Sequence, residues 1–146
     1  NRMRFLLNIV DGIRSASDIT LTVRISAEEF VENGNTLEQA SVIARTLEMH
    51  GVSAVSVSVG VYETFNVQSM VSGEAEGRWL PVAGAIAREL RIPVFGVGRI
   101  RRPEVAEAAV ARDECEITSL LRIAPEQNSP AAIRHAHHVV VAAMNV

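Results

Sequence analysis

Two glycines and three arginines are the residues of this chain whose types and spacing could do chemistry. The apolar run Ile92-Pro93-Val94-Phe95 ends in Gly96-Val97-Gly98-Arg99, and Pro103-Glu104 then opens an Ala-rich helical pattern. Strand, tight turn and helix in that order are how a chain presents backbone N–H groups and a cation to an anion. Taken alone, the segment is equally well explained as an ordinary corner with a solvated arginine. Arg24 and Arg122 occupy comparable places in two other extended segments, and that repetition carries more information than any single charge. A strand-end guanidinium is costly to desolvate unless an anion or a carboxylate meets it. For Arg24 a salt bridge to Glu28, Glu29 or Glu32 is the structural alternative.

The elements that must position these residues follow from periodicity. Residues 2–15 form an amphipathic helical pattern that runs almost from residue 1, which is Asn, and suggests a piece of something longer. Thr20 to Ser26 places Leu21, Val23 and Ile25 against Thr22, Arg24 and Ser26, the period-two signature of a strand. Thr36-Leu37-Glu38-Gln39 has capping-box spacing and starts a helix carrying Ala40, Ile43, Ala44 and Leu47 on one face, closed by His50-Gly51. Residues 53–60 alternate valine with serine as a second strand. A loop over 61–78 precedes a helix from about Trp79 to Leu90. The glycine stretch supplies the third strand, residues 103–112 another helix, Glu116 to Arg122 a weaker fourth strand, and Pro130 to Val146 one further helix.

Strand and helix alternate every 35 to 40 residues, the rhythm of right-handed βα units on a parallel sheet. An open sheet covered on both sides needs strands apolar on both faces. Here one face of each of the first two strands is small or polar (Thr22, Arg24, Ser26, Ser56, Ser58, Gly60). An α/β fold of the (β/α)8 TIM-barrel type is therefore expected, with four strands making half of one. Arg24, Gly98-Arg99 and Arg122 would then converge on the rim at the C-terminal ends of the strands. The first and fourth strands would leave open edges through which the chain could form a homo-oligomer.

Composition narrows the partners. A net charge of −3 with no basic block gives no electrostatic reason to expect nucleic acid. No run approaches the length of a membrane span and no signal-peptide pattern is present, so a cytoplasmic protein without a membrane is expected. The single cysteine, Cys115, excludes an internal disulfide and Cys-based metal motifs. His135, His137 and His138 lack the i, i+4 spacing of a helical metal pair and are read as a solvated cluster.

Set in order, the helix start Asn1-Arg2-Met3-Arg4-Phe5, the segment Val23 to Phe30, Val59-Gly60-Val61-Tyr62-Glu63, and Ile92 to Ile100 with Pro103-Glu104 resemble the second half of the old yellow enzyme family. The resemblance is greatest to its NADH:flavin oxidoreductase and 2,4-dienoyl-CoA reductase-like branch, and it covers residues 1–122. It implies a single partial FMN-binding barrel over residues 1–146, holding strands five to eight, with a divergent tail over 123–146. It further implies FMN as cofactor, NAD(P)H as electron donor and an electron-poor alkene or similar small molecule as acceptor in the complete enzyme. Arg24 would stand beside the flavin N1 and C2 carbonyl, Gly98 and Arg99 at the FMN phosphate, and Arg122 where the family completes that site. Leu121 replaces the small residue usual before that last arginine. The family's His/Asn pair and tyrosine would lie before residue 1, leaving the catalytic residues of this chain unknown. Two other readings stand beside this one: a non-catalytic half-barrel that self-associates, and another phosphate-binding βα-barrel enzyme. Gly96-Val97-Gly98 lacks the third glycine of a dinucleotide fingerprint.

Overall fold

A computed structural model describes residues 3–68, 75–112, 117–120 and 139–141. The backbone forms helices α1 (Arg4–Ala16), α2 (Leu37–Met49), α3 (Phe65–Gln68), α4 (Leu80–Ala87) and α5 (Pro103–Ala111), and strands β1 (Leu21–Ser26), β2 (Ala54–Ser58), β3 (Val94–Ile100), β4 (Ile117–Leu120) and β5 (Val139–Val141). The five strands form one sheet in the order β4-β3-β2-β1-β5, and every pair is parallel.

The period-two reading of the strands explains where the core sits. Leu21, Val23 and Ile25 of β1, Val55 and Val57 of β2 and Val94 of β3 are buried in one cluster. Facing them are Leu6 and Val10 of α1, Ala40, Ile43, Ala44 and Leu47 of α2, and Ala83 and Ile86 of α4. The described helices of that cluster therefore lie on one face of the sheet. The opposite face carries Thr22, Arg24, Ser26, Ser56 and Ser58, so β1 and β2 are aliphatic on the helix-covered side and small or polar on the other. A smaller cluster of Leu80, Ile100 and Ala109 seats α5 against the end of β3.

Local chemistry sets the helix ends. The Thr36 hydroxyl accepts from the Gln39 N–H, and the Gln39 carboxamide oxygen accepts from the Thr36 N–H, so the capping box is formed. Gly51, at φ +80°, turns the chain out of α2. Thr36→Ala is expected to lower stability by about 1 kcal/mol, read from the urea midpoint at unchanged slope. At the other end of α2, His50 Nδ1 lies 2.6 Å from Asp11 Oδ1, which ties α2 to α1. Arg14 donates to Ile19 O and to Ser53 Oγ, fixing the start of β1 against that of β2.

Three expectations are corrected. Gly96 to Arg99 is not a tight turn after β3 but part of it, since the strand runs on to Ile100. Between the pairs Gly96↔Thr118 and Ile100↔Leu120 the chain takes four steps along β3 against two along β4. The surplus residues form a bulge, where Gly98 has φ +145° and Arg99 φ +51°. The tail expected as a helix over 130–146 contains a strand at Val139–Val141. Three consecutive β-branched residues favour extended backbone over helix, and β1 offers them a free edge. That pairing (Leu21↔Val139, Thr22↔Val140, Val23↔Val141) makes five strands rather than four and covers the first half of the β1 edge expected to be open. The remainder of the expected final helix lies outside the described residues, as do His135, His137, His138 and Cys115.

Candidate functional site

Parallel register places the candidate residues at defined levels of the polar face. Arg24 pairs with Ser56 and Ser56 with Phe95, so these three lie in one row across β1, β2 and β3. Arg99 is four residues beyond Phe95 on the same strand, at the C-terminal end of the sheet. The structure thus separates two cations that had been expected on a common rim: Arg24 belongs to the middle of the face, and Arg99 to its upper margin. Arg122 lies outside the described residues.

Arg24 is partly buried, and its guanidinium makes no hydrogen bond or ion pair among the described residues. The salt bridge considered for it is not formed. Glu29 instead turns back on its own loop, where its carboxylate accepts from the Asn35 N–H at 2.8 Å and from Asn35 Nδ2 at 3.2 Å. Two residues below Arg24 on the same face, Thr22 is 4% exposed and its hydroxyl has no partner among the described residues. A covered hydroxyl without a partner and a half-covered guanidinium without a counter-charge are both costly unless something else meets them. The serines nearby are already used: Ser26 Oγ donates to Gly60 O, and Ser58 Oγ to Ile25 O.

The loops at the C-terminal ends of the strands are bolted together. Gly60 N donates to Glu28 O, and Thr64 Oγ1 to Glu29 O, which joins the loop after β1 to the 3-10 turn Tyr62–Thr64. Phe30 meets Trp79 with ring centroids 5.6 Å apart, joining the same loop to the start of α4. Tyr62 is 88% exposed. Further on, Gly77 N donates to Gly98 O at 2.7 Å. The Glu76 carboxylate accepts from the N–H groups of Arg101 and Arg102 and pairs with the Arg102 guanidinium.

Sequence reasoning missed Glu76. Its partners are backbone groups 25 and 26 residues away, and no local pattern reveals them. The Arg101 N–H holds the Glu76 carboxyl below its usual value, reinforced by the Arg102 N–H and the charges of both arginines, while desolvation opposes them. A lowered folded pKa means the contact is complete above the ordinary value of 4.5 and is lost as pH falls through the lower folded one. The amide proton resonances of Arg101 and Arg102 are expected to move together with an acid midpoint below 4.5. A midpoint at or above it would contradict this.

One-sided helices on a parallel sheet, a polar opposite face, and a bulged strand end carrying Gly98 and Arg99 define an α/β protein built of βα units. A family profile described as NADH:flavin oxidoreductase / NADH oxidase matches residues 1–124. The chain belongs to that family of flavin-dependent oxidoreductases. It is 40% identical over 123 residues to an NADH oxidase of Thermoanaerobacter brockii, covering 83% of this chain and 19% of the relative. It is 30% identical over 122 residues to an NADPH dehydrogenase of Geobacillus sp. (strain WCH70), covering 84% of this chain and 34% of the relative. Among solved structures, a 2-naphthoyl-CoA reductase in complex with 2-naphthoyl-CoA superposes with a TM-score of 0.72 at 30% identity, over 83% of this chain and 19% of that one. The chain therefore spans between a fifth and a third of the length of these proteins. Among the described residues no helix is long and apolar enough to cross a membrane, and no three His, Cys, Asp or Glu side chains are grouped to hold a metal.

Proposed function

We propose that this chain is the phosphate-gripping half of an FMN-dependent NAD(P)H oxidoreductase barrel, strands β1 to β4 being the fifth to eighth of the complete fold. The observation that carries the reading is Arg24, partly buried on the polar face with no protein counter-charge among the described residues. The residues present fit FMN. Arg24 lies on the polar face, which a planar, electron-accepting ring would cover, and Gly98-Arg99 would meet a phosphate tail. Arg24 and Arg99 are two strands apart, about 10 Å, and four residues apart along the strand, about 13 Å at most. That spacing suits an elongated ligand with a polar head and an anionic tail better than a compact anion.

Bound FMN would supply the two-electron redox chemistry. Arg24 would hold a fixed positive charge beside the ring edge where negative charge develops on reduction. Gly98 would admit the phosphate close to the backbone, and Arg99 would present a guanidinium fork to its oxygens, with Arg122 completing the grip. The acceptor of the complete enzyme is read as a small electron-poor alkene or conjugated acyl compound, in keeping with the names of the relatives. Titration of the 146-residue chain with FMN, followed by quenching of flavin fluorescence, tests the reading. Stoichiometric binding is expected, and its absence would overturn the assignment for this chain.

A second reading, a non-catalytic unit that retains only anion binding, is favoured by β5, which covers the first half of the β1 edge from within the chain. Under it, FMN and inorganic phosphate would bind with the same affinity.

A further inference from the structure

We infer that Glu76 is a positioning residue for the Gly98-Arg99 bulge and thereby decides where the phosphate of a bound flavin sits. The inference rests on the flavin reading above and adds to it a residue outside the polar face.

Arg99 is a non-glycine residue at φ +51°, a left-handed backbone state that L side chains rarely adopt. Such strain persists only where the surroundings over-determine it. Here it is bracketed on both sides. Before it, Gly98 O accepts from Gly77 N at 2.7 Å. Beyond it, the N–H groups of Arg101 and Arg102 both donate to Glu76 Oε2, at 3.1 and 3.2 Å, while Glu76 Oε1 lies 3.4 Å from Arg102 Nε. Between them Ile100 is fully buried against Leu80 and Ala109. Residues 76 and 77 thus clamp the five-residue stretch that contains the bulge. Position 77 favours glycine: its φ is +72°, where a side chain is strained, and a Cβ there would lie 2.6 Å from Cδ1 of the buried Leu80, which would have to shift.

The clamp also has an electrostatic consequence. The N–H groups of Arg101 and Arg102, just before α5, converge on one acceptor, and the Glu76 carboxylate occupies that position. An incoming phosphate is thereby turned away from the helix end and toward the N–H groups and guanidinium of the bulge. The acidic charge, held by two N–H groups and a guanidinium, opposes that phosphate less than a free carboxylate would.

FMN and riboflavin differ by the phosphate alone, so their affinity ratio isolates this role. Glu76→Ala is expected to reduce the preference of the 146-residue chain for FMN over riboflavin by about tenfold, the loss of one charge-assisted hydrogen bond's worth of positioning. Riboflavin affinity should be unchanged, and amide exchange across residues 97–103 should accelerate in the absence of flavin. Glu76→Gln keeps one acceptor oxygen and should fall between the two, which preserves the test should the alanine variant unfold. A wild-type FMN preference retained in both variants would overturn the role of Glu76 while leaving the flavin reading intact. A wild-type chain with no such preference would overturn the flavin reading, and this inference with it.

Discussion

Arg24→Ala is expected to weaken flavin binding by about a hundredfold or more while leaving the fold as stable as before, or slightly more so. The two halves of that result come from one observation. A charged group that anchors a fold through a buried partner destabilises it when removed, because the partner is left uncompensated. Arg24 has no such partner among the described residues, and Glu29, the nearest candidate in sequence that is buried, is engaged by Asn35. Truncation therefore removes a partly desolvated cation that has no counter-charge among the described residues and that, on the proposed reading, a bound flavin would meet. Electrostatic contacts to charge that develops on a ligand are worth about 3–4 kcal/mol when a single donor is removed. Part of that should appear as affinity for the oxidised flavin and more as affinity for the reduced one. FMN and riboflavin should lose equally, since the contact is to the ring. Fluorescence titration and urea unfolding on the same preparation measure both halves. Loss of more than about 1 kcal/mol of stability with flavin affinity intact would make Arg24 a structural residue and remove the main support for the proposed function.

What could be read from the sequence follows the range of the interactions involved. The β1 and β2 faces were legible because strand parity is local: Leu21, Val23 and Ile25 could share one side only by placing Thr22, Arg24 and Ser26 on the other. The α2 boundaries were legible for the same reason, since Thr36, Gln39 and Gly51 signal across a few residues. The glycine stretch was misread in form though not in place. Gly96 and Gly98 signal unusual backbone, but whether they turn the chain or bulge it depends on where β4 pairs, and that is set some twenty residues away. The tail failed similarly. Pro130 and the apolar run after it are compatible with a helix, whereas Val139–Val141 become a strand because β1 offers an edge more than a hundred residues earlier. Arg24 could be nominated from sequence, but its lack of a counter-charge among the described residues could not, because Glu28, Glu29 and Glu32 all stood within reach along the chain. Glu76 gave no signal at all: a carboxylate that caps distant backbone looks, in sequence, like any loop glutamate.

Arg99 carries the second large effect, and two substitutions at one position separate its cost from its use. Both Arg99→Ala and Arg99→Gly delete the guanidinium, and each is expected to lower FMN affinity by about a hundredfold with little change for riboflavin. They differ only in what the backbone tolerates. Alanine inherits the strain of φ +51°, whereas glycine adopts it freely. The glycine variant should therefore be the more stable by about 1 kcal/mol, against the usual order, in which glycine loses more conformational entropy than alanine on folding. Chemical unfolding at matched slopes reads the difference directly. An alanine variant as stable as the glycine one would mean that the bulge relaxes once the side chain is gone, and that Arg99 itself holds the strained conformation. The expected order instead assigns the strain to the clamp from Glu76 and Gly77.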